Sequence, residues 1–180
     1  MEKRGILIMD ALTCINSRRS IRKYKAKKIP ASIVRKLIVA GMNAPSAYNY
    51  QPWIFILVRS LKIKKLLIDA KGGSQFIAAA PLVIACCHDE SKTKDKWHNI
   101  ENVSLAVENM LLAAHALGLG ACYLGAFDPE HPDVEKSISK ALNLPKNVKI
   151  VCLISVGYPD ETPKKKVMRK MPEVIRNEHY

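Results

Sequence analysis

The nearly continuous apolar run Val148 to Val156 is interrupted only by Lys149 and Ser155 and stops at Gly157 and Pro159. A run of that length is a strand, because a membrane-spanning helix needs about 18–20 uncharged apolar residues. Trp53 to Val58 reads as a second strand, and Leu82 to Cys86, introduced by Pro81, as a third. Ala121 to Phe127 forms a fourth strand or a strand-like turn. Between these runs the apolar residues recur at helical spacing. Asp10 can cap a helix running to about Ser17, with Leu12 and Ile15 on its inner side. Pro30 and Ser32 open another in which Ile33, Val34, Leu37, Ile38 and Gly41 share one stripe. Leu61 to Ala70 reads as a short helix ended by Gly72-Gly73, and Asp89 to Lys96 as a polar loop. The longest helix spans about Asn99 to Leu117, with apolar residues on more than one side, so it is central or buried at a dimer interface. Gly118 and Gly120 fit its C-terminal turn. A last helix opens at Asp128 and Pro129 and runs to about Leu142, and a basic, proline-punctuated tail follows Pro159. Alternating strands and helices predict a compact α/β sandwich with a short central sheet, residues 1–180 forming a single domain. A chain of this length buries about 70% of the surface that it exposes when unfolded.

Charge and cysteine usage narrow the function classes. The 29 Lys and Arg outnumber the 16 Asp and Glu for a formal charge of +13, which could mark a nucleic-acid binder. The alternative is a solvated lysine-rich surface of the kind that heat-adapted proteins carry, with a few residues contacting phosphate. No zinc-finger spacing or RNP-like strand is present, and aromatics to stack on bases are few. Cys14, Cys86, Cys87, Cys122 and Cys152 lie mostly in apolar surroundings, are odd in number and form no Cys-x-x-Cys pair, so they read as buried thiols of a cytoplasmic protein. The apolar run Ile6 to Met9 is stopped by Asp10, far short of a signal-peptide core, and no run is long enough to span a membrane.

Four motifs carry the chemistry. Arg18-Arg19-Ser20-Ile21-Arg22-Lys23-Tyr24 brings forked cationic donors and a hydroxyl together, the equipment for holding a phosphate monoester, although an exposed basic helix end would look the same. Pro45-Ser46-Ala47-Tyr48-Asn49-Tyr50-Gln51-Pro52-Trp53 leaves a helix and feeds a strand through a turn stiffened by two prolines. Gly118 to Phe127 supplies a glycine-containing strand bend, and Met168-Arg169-Lys170 closes a basic stretch. In this order and at these separations the four resemble the nitroreductase family of FMN-dependent oxidoreductases, over nearly the whole chain.

The resemblance implies an α+β fold, a three-layer α/β/α sandwich with a short mixed central sheet, assembled as a homodimer with one FMN in each of two interface pockets. It implies that Arg18, Arg19 and Ser20 hold the FMN phosphate and ribityl chain. Arg22 is then near the pyrimidine edge, where a positive group stabilises the reduced cofactor. Pro45, Ser46, Asn49 and Gln51 match the ring-contacting loop, part of which reaches the cofactor of the partner subunit. Leu124 and Gly125 match the backbone that meets the ring, the missing side chain of Gly125 permitting close approach, although a glycine kept for packing would read alike. Arg169, with Lys170, matches a late basic residue that closes over the phosphate, whereas Lys164, Lys165 and Lys166 read as solvated tail charges.

Other candidates carry less. Cys86-Cys87-His88 with His98 offers metal-ligand types without a recognisable spacing, so no metal site is expected. Cys122 lacks a paired base and reads as packing, and His115 as a satisfied core or interface histidine. With no Gly-x-Gly-x-x-Gly or P-loop, a nicotinamide would bind transiently over the flavin. The expected activity is ping-pong hydride transfer from NADH or NADPH through FMN N5 to nitroaromatic, quinone or similar conjugated acceptors, with no catalytic acid or base in the protein. A basic nucleic-acid-binding protein without turnover, and a flavin protein with a specialised role, are the competing readings.

Overall fold

The computed structural model describes residues 9–94 and 97–180. Its sheet has four strands, β1 (Trp53–Val58), β2 (Leu82–Asp89), β3 (Gly120–Gly125) and β4 (Val148–Gly157), in the order β1-β2-β4-β3. The two central strands carry the longest apolar runs because both of their faces are covered; every residue of β2 is buried, and in β4 only Lys149 is not.

A mixed sheet was expected, and all three strand pairings are antiparallel. The connection from β1 to β2 explains the first of them. Helix α3 (Leu61–Lys71) carries the chain away from Val58, left-handed Gly72 turns it, and α4 (Phe76–Ala79) brings it back, so that Val58 pairs with Val83. The one parallel contact is the bridge Ser20↔Ala121, where an extended segment lies along the outer edge of β3.

Three layers result. Helices α2 (Ala31–Met42) and α5 (Asn99–Ala116) cover one face of the sheet, and α3, α4 and α6 (Pro132–Leu142) the other, each with its own buried cluster. Helix α5 crosses under all four strands and buries Val103, Ala106, Val107, Met110, Leu111 and Ala114, as its two-sided apolar pattern foretold. Gly41 lets α2 approach it closely, since a Cβ there would sit 3.0 Å from Met110 Cγ.

Two local expectations change. Helix α1 (Ala11–Ser17) starts at Asp10, whose Oδ1 accepts the Thr13 N–H at 3.0 Å, yet Leu12 and Ile15 are 71% and 53% exposed while Cys14 is buried against α5. Cys14 Sγ donates to the Leu112 carbonyl at 3.3 Å, so docking onto α5 selects a different stripe of this short helix. Asp128 does not open α6; its carboxylate instead accepts the N–H groups of Glu130 and His131 in a turn before Pro132. From Pro163 to Tyr180 every residue is exposed, and the single turn α7 (Met171–Val174) is the only helix there. No helix among the described residues is long and apolar enough to cross a membrane.

Candidate cofactor site

After α1 the chain runs extended along β3. Ile21 N donates to the Ala121 carbonyl at 3.0 Å, and Lys25 N to the Tyr158 carbonyl at 2.9 Å. Ile21 and Tyr24 are buried, and two glycines of the sheet make that possible. A Cβ on Gly120 would lie 2.6 Å from Ile21 Cβ, and one on Gly157 would lie 2.7 Å from Tyr24 Cδ1. The Tyr24 hydroxyl donates to the Ile21 carbonyl and lies 2.7 Å from Ser155 Oγ. With Ile21 plugged inward, the alternation of an extended chain turns Ser20 and Arg22 outward. Glu161 fastens this segment by accepting the backbone N–H groups of Arg22 and Lys23, at 2.5 and 3.1 Å, and those bonds hold its carboxyl below the usual range.

Two cavities open along this edge and meet at Arg22. The first, about 430 Å3, has Arg19, Ser20, Arg22 and Lys164 around it, with Glu161 at its rim. The second, about 230 Å3, has Arg22, Lys71, Phe76 and the β3 residues Cys122 to Gly125. Lys71 Nζ donates to the Gly125 carbonyl. The Arg22 guanidinium lies 5.9 Å from the Phe76 ring centroid. A Cβ on Gly125 would meet nothing nearer than Tyr123 Cε1 at 3.9 Å, so packing does not require this glycine and its face is open.

The electrostatics suit an anionic ligand with a flat body. Cations ring the first cavity, and the second adds an open glycine, an aromatic wall and a lysine. Burial pushes the Cys122 thiol up and the Tyr123 phenol up to about 12.

Not every expected residue reaches these cavities. Arg18 turns toward α5, its Nε 3.6 Å from Glu108 Oε1 and without a hydrogen bond. Arg169 stays in the exposed tail and bonds to Glu173, donating from Nη2 to its carbonyl at 2.8 Å, and Lys170 is exposed beside it. Lys164 is the basic tail residue that lines the first cavity, beside Glu161, Thr162 and Pro163.

The loop with Pro45, Ser46, Asn49 and Gln51 lies elsewhere. It makes a short 3-10 turn in which Tyr48 and Asn49 have φ of 51° and 57°, and Gln51 follows at 49°. Its hydrogen bonds are largely its own: Gln51 N donates to Ser46 Oγ at 3.0 Å and Gln51 Nε2 to Asn49 Oδ1 at 2.9 Å. One outside anchor is Asn102 of α5, whose Oδ1 accepts the Ala47 N–H at 2.9 Å. The basic segment touches the same helix further on, at Glu108 and at His115, whose Nε2 is 2.8 Å from Ser17 Oγ. At 1.5 Å per residue, Glu108, which Arg18 meets, and His115, which Ser17 of α1 meets, lie roughly 9 and 20 Å along the helix from Asn102. Across the sheet, three strand spacings put β1 about 14 Å from β3. One chain therefore does not bring the loop and the basic segment together.

Lys71, Phe76, Glu161 and Lys164 were not foreseen. Lys71 precedes the Gly72-Gly73 break and Glu161 follows Asp160 at the start of the basic tail, signals that mark a turn and an anchor without revealing what they face. Cys86, Cys87 and His88 sit on β2, and among the described residues no group of three His, Cys, Asp or Glu side chains could hold a metal.

Sequence and structure comparisons place the chain among known proteins. The profile described as the nitroreductase family matches residues 15–96 and 65–158. A protein of Methanothermobacter thermautotrophicus named for NADH dehydrogenase/NAD(P)H nitroreductase activity is 36% identical over 155 residues, covering 86% of this chain and 80% of its own. The NADH dehydrogenase of Thermus thermophilus is 29% identical over 189 residues, covering 86% and 89%. Among solved structures, an FMN-dependent nitroreductase from Clostridium difficile superposes with a TM-score of 0.83 at 32% identity, covering 94% of this chain and 99% of that one.

Proposed function

Because the chain belongs to the nitroreductase family, we propose that it is an FMN-dependent oxidoreductase that takes electrons from NADH or NADPH and passes them to nitroaromatic, quinone or similar conjugated acceptors. The observation that carries this reading is the pair of cavities joined at Arg22, one ringed by cations and the other floored by an open glycine. When bound, FMN supplies ping-pong hydride chemistry at its N5, a chemistry that the side chains do not provide. Arg19, Ser20 and Lys164 hold its phosphate through charge-assisted bonds. Arg22 and Lys71 place positive charge beside the ring, and the backbone of Leu124 and Gly125 meets the ring face. Arg18 braces the segment through Glu108, and Arg169 and Lys170 reach the phosphate only if the tail folds over it.

A second copy of the chain completes the site. Pro45, Ser46, Asn49 and Gln51 cannot reach the cavities of their own chain, so in this reading they face those of the partner. The exposed Leu12 and Ile15 of α1 and the arm from Pro163 onward, with Val167, Met168 and Met171 uncovered, supply apolar surface for that contact. Five free, buried cysteines fit a reducing cytoplasm.

The visible spectrum of the purified protein tests the assignment. About one FMN released per chain by heat, bleached anaerobically by NADH or NADPH before release, is the expected result. A colourless protein that takes up no added FMN overturns it. In Arg19→Ala, loss of one charge-assisted contact lowers FMN affinity roughly 10- to 100-fold. Light scattering reads the assembly, and a monomer with full flavin content would remove the loop from the site.

A further inference from the structure

A third cavity, about 360 Å3, lies where β1 ends and β2 begins, and shares no residue with the two that meet at Arg22. Lys27, Lys28, Arg59 and Lys64 surround it, the segment Ala78–Pro81 forms a small apolar wall, and none of its lining residues is acidic. Lys64 is unlike the surface lysines of this chain, being 5% exposed. Its ammonium donates to the Ala80 carbonyl, and among the described residues no carboxylate pairs with it. A buried ammonium with one protein acceptor for three N–H groups is costly unless a counter-charge approaches. Burial accordingly draws its pKa down. Arg59 lies beside Ser60, the N-cap residue of α3, and the first turn of that helix carries no acid. Lys27 keeps its ammonium 4.4 Å from the Tyr158 ring centroid, which holds a further charge in place.

We infer that this cavity binds a small phosphate monoester, the phosphate meeting Arg59 and Lys64 and the organic part lying along Ala78–Pro81. The forked guanidinium and the buried ammonium suit a compact multiply charged group, and the apolar wall favours an ester over the free ion. The site is separate from the flavin reading and stands without it.

Isothermal titration of the full-length protein, loaded with FMN at its first basic cavity and then freed of unbound flavin, tests this with phenyl phosphate and with inorganic phosphate. Phenyl phosphate binds once per chain and more tightly than inorganic phosphate. Arg59→Ala and Lys64→Met each weaken it at least tenfold, while Arg19→Ala leaves it unchanged and both cavity variants keep their flavin content. Equal affinity for inorganic phosphate makes the free ion the ligand and overturns the ester. Absent saturable binding, binding that survives both substitutions, or binding lost equally in Arg19→Ala overturns the site. Should Lys64→Met fail to fold, the exposed pair Lys28→Ala and Arg59→Ala carries the same test. Failure of the flavin reading shows separately, as a protein that is colourless once unbound flavin has been removed.

Discussion

The segment Arg18–Tyr24 is fastened to the fold by distant residues: Glu161 accepts two of its amides, Ser155 meets Tyr24, and Ala121 pairs with Ser20 and Ile21. The loop Ala44–Gln51 is held mainly by itself, through Ser46, Asn49 and Gln51, with one outside anchor at Asn102. Both flank the same helix. The basic segment is therefore shaped before any ligand arrives, whereas the loop keeps three residues other than glycine at positive φ, a conformation that costs free energy and clusters at binding sites. In the proposed site one half is thus built by tertiary packing, and the other, the loop, carries local backbone strain.

The glycines beside the basic segment give the strongest way to break that comparison. Gly157→Ala sets a Cβ 2.6 Å from Pro81 Cδ and 2.7 Å from Tyr24 Cδ1, so Tyr24 must move. The expected cost is about 2–3 kcal/mol, lowering the melting temperature by roughly 4–12 °C. Gly125→Ala meets only Tyr123 Cε1 at 3.9 Å and changes stability by less than about 0.5 kcal/mol. Its effect falls on FMN affinity instead. Equal melting temperatures for the two variants would show that Tyr24 is not what anchors the segment.

Glu161 gives the next largest effect. Its carboxyl is held below the usual range first by the Arg22 N–H, so the anchoring is fully present above its ordinary pKa of 4.5 and is lost as pH falls through the depressed value. Glu161→Gln keeps a neutral acceptor, costs about 1 kcal/mol at pH 7 and removes that acid dependence. Melting curves at pH 7 and pH 3.5 check it: the wild type loses more on acidification than the variant, and parallel losses would exclude Glu161 as the anchor.

How much of this was legible follows from the same division. Strand β1 was read to the residue, and α1 began at its cap, Asp10, because both signals are local. Arg19, Ser20 and Arg22 could be nominated because they are consecutive or nearly so. Lys71 and Lys164 could not, since each reaches the cavities only after α3 and the tail have packed, and nothing near them in sequence says what they will face. Leu12 and Ile15 were assigned inward because a seven-residue helix offers two apolar stripes, and the choice belongs to α5 through Cys14 and Leu112. The loop was legible as a motif, but its distance from the basic segment is set by the length of α5 between Asn102 and Glu108.

Asn102→Ala sharpens the comparison from the other side. It removes the one outside anchor of the loop, but it also deletes a buried, unpartnered Nδ2, so the net cost is about 0.5–1 kcal/mol. Amide hydrogen exchange read residue by residue should quicken at Ala47 and remain unchanged at Ile21. A matching rise at Ile21 would mean that the two regions open together and that the division between them is false.

The smallest effect has the most telling sign. Tyr48 holds φ at 51° although it is 80% exposed, its ring 5.5 Å from that of Tyr50 between centroids. Tyr48→Gly relieves about 1–2 kcal/mol of backbone strain and returns about 0.5–1 kcal/mol to the more flexible unfolded chain, a net gain of up to about 1.5 kcal/mol. The same change at Lys23, which has no positive φ, brings only the entropic loss. Opposite signs for the two glycine substitutions, measured by denaturant unfolding of the separated monomer or of the whole assembly at fixed concentration, mean that the loop is strained in itself. A loss at both positions would mean that contacts of the Tyr48 side chain stabilise the turn by more than its φ costs, and the loop would then be as thoroughly packed as the segment that it complements.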